Sequence, residues 1–254
     1  MSAQPKIAIV TGGSRGLGKD MALALAKKEI DVILTYRSKE KEALETVASI
    51  EAMGRKAAAI QLNMSEFSSL DSFIKKMAEI LQQKWQATSF DFLINNAGMG
   101  ATVPFEQVTE ELFDEFLNVH FKGIYFLTQK LVPHINSGGR IINISTGTTR
   151  FTNPGYSVYA SMKGAIEVFT KYLAKELGAK NVAANVVAPG PVETDFNSAV
   201  IRSNPQMKER LSSLSPLGRV GNANDIGGVV AFLCTEEAGW INGQRIEVSG
   251  GINI

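Results

Sequence analysis

Tyr159 and Lys163 stand four residues apart in the stretch Tyr159-Ala-Ser-Met-Lys163. On a helix, residues four apart share a face, so the phenol and the ammonium can look the same way. A nearby cation favours the phenolate, and a tyrosine drawn towards neutrality can act as a general acid or base. An ordinary polar helix face carries the same spacing, so the pair gains meaning only from its company. Far upstream, Thr11-Gly-Gly-Ser-Arg-Gly-Leu-Gly18 follows a short apolar run and precedes an amphipathic helix. That order suits phosphate: backbone N–H groups and the helix dipole face the anion, and glycines let the main chain come close. A third chemical group is Ser145, at the end of the apolar run Arg140 to Ile144. A serine at the C-terminal end of a strand in an open α/β sheet points towards the ligand crevice.

Several other chemistries are disfavoured. The 254 residues contain two histidines, His120 and His134, and one cysteine, Cys234. So few histidines disfavour a zinc site or a Ser-His-Asp hydrolase, and no metal is expected. Ser145 lacks both a histidine partner and a Gly-x-Ser-x-Gly turn, so it is not read as an acylated nucleophile. Cys234 lies in an apolar helical stretch and reads as core. The formal net charge is +1, with 26 basic and 25 acidic residues. No block of like charge suggests nucleic acid or a membrane surface as partner. The N-terminal residues lack a signal peptide's pattern, and no apolar run approaches the ~20 residues of a membrane span. The expected compartment is the cytoplasm.

The elements that must position these groups alternate along the whole chain. Apolar, strand-like runs occur at 6–10, 32–36, 56–62, 90–94, 140–144, 182–188 and 244–248. Helix-like stretches occur at 17–28, 39–53, 66–83, 110–133, 156–177 and 224–233. Near-continuous apolar strands separated by helices imply a parallel sheet covered on both faces. No linker or second core interrupts the pattern. The expected fold is therefore α/β, a single-domain Rossmann-like doubly wound sheet of about seven strands spanning 1–254. The polar, proline-containing segment within 191–217 reads as a lid over a substrate pocket.

The second strand ends in Tyr36-Arg37-Ser38, with no acidic residue at its end. An acid there would bind the ribose 2′-hydroxyl of NAD, whereas a basic group accommodates the 2′-phosphate of NADP. Arg37 and Arg15 each offer a planar cationic fork, and Ser38 and Ser14 offer hydroxyls. NADP(H) is the expected cofactor.

The spacing Gly12-x-x-x-Gly16-x-Gly18, with Asn95-Asn96-Ala97-Gly98, Ser145 and Tyr159-x-x-x-Lys163, resembles the short-chain dehydrogenase/reductase family. The resemblance runs from the glycine loop to the end of the chain. It implies a cofactor site lined by Gly12, Ser14, Arg15, Gly16, Leu17 and Gly18, by Tyr36, Arg37 and Ser38, and by Asn63 and Met64. It adds Asn96, Ala97, Gly98, Tyr159, Lys163, Pro189, Gly190, Val192 and Thr194 to that site. Asn63 stands where the family has an aspartate for the adenine amino group, and its carbonyl can still accept such a bond. The resemblance also implies a catalytic set of Asn118, Ser145, Tyr159 and Lys163. Ser145 would orient the carbonyl oxygen and Tyr159 would supply the proton. Lys163 would lower the tyrosine and hold the nicotinamide ribose, and the Asn118 carbonyl would hold a water beside the lysine.

These expectations converge on hydride transfer between NADP(H) and a carbonyl/alcohol pair, as a ketone, aldehyde or 3-oxoacyl reductase. The partner is a small-molecule carbonyl or alcohol substrate. A sugar or polyol dehydrogenase and a non-catalytic NADP-binding regulator remain alternatives. Divergent enoyl reductases of the family place tyrosine seven positions before lysine, as Tyr156 stands here, but Tyr156 reads instead as pocket wall or helix-start packing. For a carrier-protein substrate the basic positions beside the site are filled by Asn136 and Lys180, which is a poor match. The family further implies a homotetramer, with the helices at 110–133 and 156–177 at one interface.

Overall fold

Ile7–Val10 forms strand β1, and all four of its residues are buried. Its side chains alternate, Ile7 and Ile9 entering one apolar core and Ala8 and Val10 the other. Two covered faces explain why the strand sequence lacks polar alternation. In the computed structural model, which describes residues 5–194, 196 and 200–254, this strand lies inside a seven-stranded parallel sheet. The others are β2 (Asp31–Tyr36), β3 (Ala57–Gln61), β4 (Phe90–Asn95), β5 (Ile135–Ile144), β6 (Ala183–Pro189) and β7 (Arg245–Val248). They are ordered β3-β2-β1-β4-β5-β6-β7, so the chain reverses direction across the sheet between β1 and β4. The crevice at the C-terminal ends of those two strands is where open α/β sheets bind ligands.

Helices α1 (Gly16–Lys27), α2 (Glu40–Glu51) and α9 (Ala223–Leu233) cover one face, with Met21, Leu25, Ile50 and Val230 in its core. The opposite core contains residues of α3 (Phe67–Ile80), α5 (Gly123–Leu131) and α6 (Ser157–Leu177), among them Phe73, Leu127 and Ile166. Helix α4 (Glu110–Leu117) precedes α5, and the short α7 (Val200–Ser203) and α8 (Pro205–Ser213) belong to the segment expected to form the lid. Residues 195 and 197–199 of that segment lie outside the described residues, as do 1–4.

Two elements depart from expectation. The helix at 110–133 is not continuous: a π turn, Asn118–Lys122, separates α4 from α5, and a 3₁₀ turn ends it. A π turn widens the helix and is frequent at functional sites. Strand β5 begins at Ile135 rather than Arg140, because a register shift against β4 absorbs Asn136 to Gly139. Gly138, at φ +83°, allows that irregularity, and its Asn-Ser-Gly-Gly sequence reads as loop.

Candidate active site

The loop after β1 is shaped by close backbone approaches. Gly12 and Gly16 have φ of +67° and +55°. A Cβ at Gly18 would stand 2.1 Å from the Gly12 carbonyl oxygen. Thr11 Oγ1 accepts from the N–H groups of Asn96 and Ala97, each at 3.0 Å. Asn96 returns its amide to the carbonyls of Thr11 and Gly12. The turn after β4 thus braces the turn after β1. Arg15 is the N-cap of α1 and gives no side-chain cap, so the first-turn N–H groups stay free of one. Free N–H groups at a helix start, behind glycines, are the donor set that a pyrophosphate needs.

Ser14 is buried, and its carbonyl accepts from Thr46 Oγ1. Leu17 is half-buried, while Arg15, Arg37 and Ser38 are exposed near the same mouth. Neither guanidinium has an ion-pair partner among the described residues, which leaves both available to a phosphate. Tyr36 instead donates its hydroxyl to Glu40 at 3.0 Å. Asn63 is more occupied than expected. Its Oδ1 accepts from both the N–H and the hydroxyl of Ser65, and its amide donates to Glu66 Oε1 at 2.7 Å. That local turn competes with an adenine amino group for the same oxygen. Met64 is buried, with its carbonyl against Gly123.

On the far side of the crevice, Pro189 ends β6 and Gly190 packs so closely on Ser249 that a Cβ would come within 2.8 Å. Val192 bridges Gly221, and Thr194 is buried opposite Gly16, where a glycine Cβ would lie 3.8 Å from its own. The Pro-Gly-x-Val-x-Thr stretch therefore closes back over the glycine loop.

Tyr159 and Lys163 share a face of α6, as their spacing requires. Lys163 Nζ lies 5.8 Å from the Tyr159 ring centroid and donates to the Ile144 carbonyl at 2.7 Å. Their electrostatics differ from expectation. Burial pushes the Tyr159 phenol well above its usual range, and a side-chain hydrogen bond with Thr146 works the other way. The ammonium does not bring the phenol to neutrality here. Burial also penalises the ammonium itself, lowering Lys163 to about 8.

Ser145 is buried, and its hydroxyl donates to Glu167 Oε1 at 2.7 Å. The residue that meets Tyr159 is the next one, Thr146. Both side chains meet α6, Ser145 at Glu167 and Thr146 about two turns earlier at Tyr159. Which of the two meets the phenol was not visible in the sequence. Asn118 opens the π turn, and its carbonyl accepts from the Gly123 N–H five residues on.

Sequence reasoning did not assign Phe116, His120 or Phe196 to the site. His120 is fully buried, stacks on Phe116 at 5.3 Å and meets Tyr159 edge-on at 5.2 Å. Phe196, from the lid segment, lies 5.9 Å from the Tyr159 ring. Tyr156, at the N-cap of α6, stands 6.3 Å from it. Ala101, Val103, Leu112, Phe116 and Val158 line an apolar recess that reaches Tyr159. The signal for Phe116 and His120 was their i, i+4 spacing, which only the position of α6 makes relevant. The arrangement can present a buried proton donor to a carbonyl on an apolar wall, beside a dinucleotide-shaped crevice.

Comparison with known proteins agrees with this geometry. A family model described as enoyl-(acyl carrier protein) reductase matches residues 12–253. An uncharacterized oxidoreductase of Methylorubrum extorquens is 36% identical over 247 residues, covering 97% of each chain. The tetrahydroxynaphthalene reductase PfmaG of Pestalotiopsis fici is 34% identical, covering 97% of this chain and 91% of that one. Among solved structures, the angucycline C-6 ketoreductase LanV with bound NADP superposes with a TM-score of 0.93. It is 36% identical, with 97% of this chain and 95% of that chain covered.

Proposed function

The chain belongs to the short-chain dehydrogenase/reductase family, and we propose that it is an NADPH-dependent carbonyl reductase acting on flat, ring-borne ketones. The observation that carries the reading is the buried Tyr159 phenol, flanked by Thr146 and Lys163 and opening onto an apolar recess. The tetrahydroxynaphthalene and angucycline reductases among its relatives work on fused rings, and aromatic walls at Phe116, Tyr156 and Phe196 suit such rings here.

NADPH supplies a hydride when bound. The backbone of Gly12 to Gly18 holds its pyrophosphate, and Arg15, Arg37 and Ser38 take the 2′-phosphate. Asn96, Ala97 and Gly98 form the floor of the crevice, and Pro189, Gly190, Val192 and Thr194 cover its nicotinamide end. Thr146 donates to the substrate oxygen in the role expected of Ser145, and Tyr159 delivers the proton. Lys163 holds the ribose, and Asn118 starts the widened turn beside it. The segment 191–217 acts as the lid of a single cofactor-binding domain.

A tetramer is favoured by apolar groups left exposed on α5 and α6. Tyr125, Val168 and Tyr172 are exposed there, with Tyr125 stacked on Phe169 at 4.6 Å. A surface of this kind is uncommon on a monomer. Among the described residues no helix is long and apolar enough to cross a membrane, and the cytoplasm is the proposed compartment.

The test is nicotinamide absorbance with a panel of bicyclic aromatic ketones, simple ketones, 3-oxoacyl thioesters and sugars. Reduction of the bicyclic ketones with NADPH, and weakly with NADH, is expected. Equal use of NADH sinks the cofactor assignment. Tight NADPH binding without turnover across the panel favours the regulator.

A further inference from the structure

His120 is a titratable side chain that the proposed chemistry leaves unused, yet it touches three parts of the site at once. It sits in the π turn with no exposed surface. Phe116, one helical turn earlier, covers its face at an interplanar angle of 30°. The Tyr159 ring meets it at 88°, an edge-to-face packing whose geometry fixes one ring against the other. Its Nε2 reaches the Met99 carbonyl at 2.8 Å and the Met99 N–H at 3.3 Å. The shorter contact selects the tautomer in which Nε2–H donates, because one nitrogen cannot both carry the proton and accept.

The glycine before Met99 is also explained by this ring. A Cβ at Gly98 would lie 2.9 Å from His120 Cε1 and 3.4 Å from Nδ1. Among the described residues His120 Nδ1 itself has no hydrogen-bond partner, an arrangement costly in a buried group and retained here. Burial, and then the positive Lys163, hold the imidazole well below its usual range, against the Met99 bond that raises it. The ring is neutral at working pH and packs as an aromatic with one polar handle.

We infer that His120 is a positioning residue that ties the wall at Met99 to the Tyr159 phenol, setting the phenol's ring plane through one contact and the crevice wall through the other. The inference rests on Tyr159 as proton donor, and two variants separate its contacts. His120→Gln keeps a donor for Met99 and loses the ring. His120→Phe keeps the ring and loses the donor. In His120→Gln, kcat falls about tenfold or more, since small misplacements of a reacting group are expensive, while NADPH affinity by fluorescence titration stays within about twofold. In His120→Phe, NADPH affinity and substrate KM weaken while kcat changes by less than about threefold. This crossed pattern is the support. Parallel loss of both parameters tracking thermal stability means a merely structural residue and overturns the inference, as does no change in either variant.

Crystal structures of the two variants give a readout independent of turnover. A turned Tyr159 ring with an intact Met99 bond in His120→Gln supports the inference, and an unmoved ring overturns it. If the wild-type protein reduces no carbonyl at all, the functional reading fails alone, and the ring plane still decides this one.

Discussion

Around Tyr159 polar groups are buried with few partners, whereas around Glu167, about two turns further along α6, they are paired several times over. The phenol and ammonium both carry shifts caused first by burial, and His120 Nδ1 stands without a partner. Twenty-two residues after Ser145, Glu167 Oε1 accepts from Ser145 Oγ, Thr149 Oγ1 and Arg245 Nε, all within 2.9 Å. Arg245 continues to Glu247, which also takes a forked pair of bonds from Arg150 and is held at about 2 by it. The first cluster spends stability on poised groups, and the second clamps the loop that carries Thr146 to β7. Adjacent residues, Ser145 and Thr146, belong to opposite clusters.

The sharpest test of this division is Tyr159→Phe. It should cost about 10²–10⁴-fold in kcat, the range of general acid catalysis, while the melting temperature holds or rises. A matching loss of stability would show the phenol to be structural and break the contrast. Thr146→Ala should follow it with a smaller loss in kcat and little change in melting, whereas Ser145→Ala should do the reverse.

The pH dependence comes next in size. Lys163 titrates near 8 when folded and near 10.4 in an unfolded chain, so between these values the unfolded state binds more protons. Stability contributed by this group therefore rises with pH across that window and is absent below it. Activity that needs the ammonium moves oppositely, falling about tenfold per pH unit above about 8. Rate profiles beside thermal melts check both signs. A Lys163→Arg variant should move the alkaline limb upward, since a guanidinium keeps its proton. A limb that stays in place would assign it to another group.

The smallest effect on rate is expected from Glu167→Gln. Losing the carboxylate under Arg245 and Ser145 should cost about 1.5–3 kcal/mol of stability, read from denaturant melts, with kcat changed less than by Thr146→Ala. If kcat collapses instead, the two clusters are one machine.

Much of the fold was legible because burial on both faces of a sheet leaves a local trace. The strands around Ile9, Leu34 and Val187 are predominantly apolar for that reason. The ends of elements were less legible. Asn136 to Gly139 read as loop because nothing local shows that β4 lies alongside to accept an irregular strand. The break at Asn118 left no trace either, since helix-forming residues run through it.

The sequence by itself determined the positions whose chemistry is carried by the main chain or by one helical turn. Glycines at 12, 16 and 18 are required by backbone angle and close approach, and Tyr159 and Lys163 are brought together by helix pitch. Tertiary structure decided what those groups experience. Whether Ser145 or Thr146 meets the phenol depends on where along α6 each one lands, and whether His120 matters depends on α6 crossing the π turn. Such facts follow from which elements meet across the molecule, and a residue's neighbours in the chain carry no record of them.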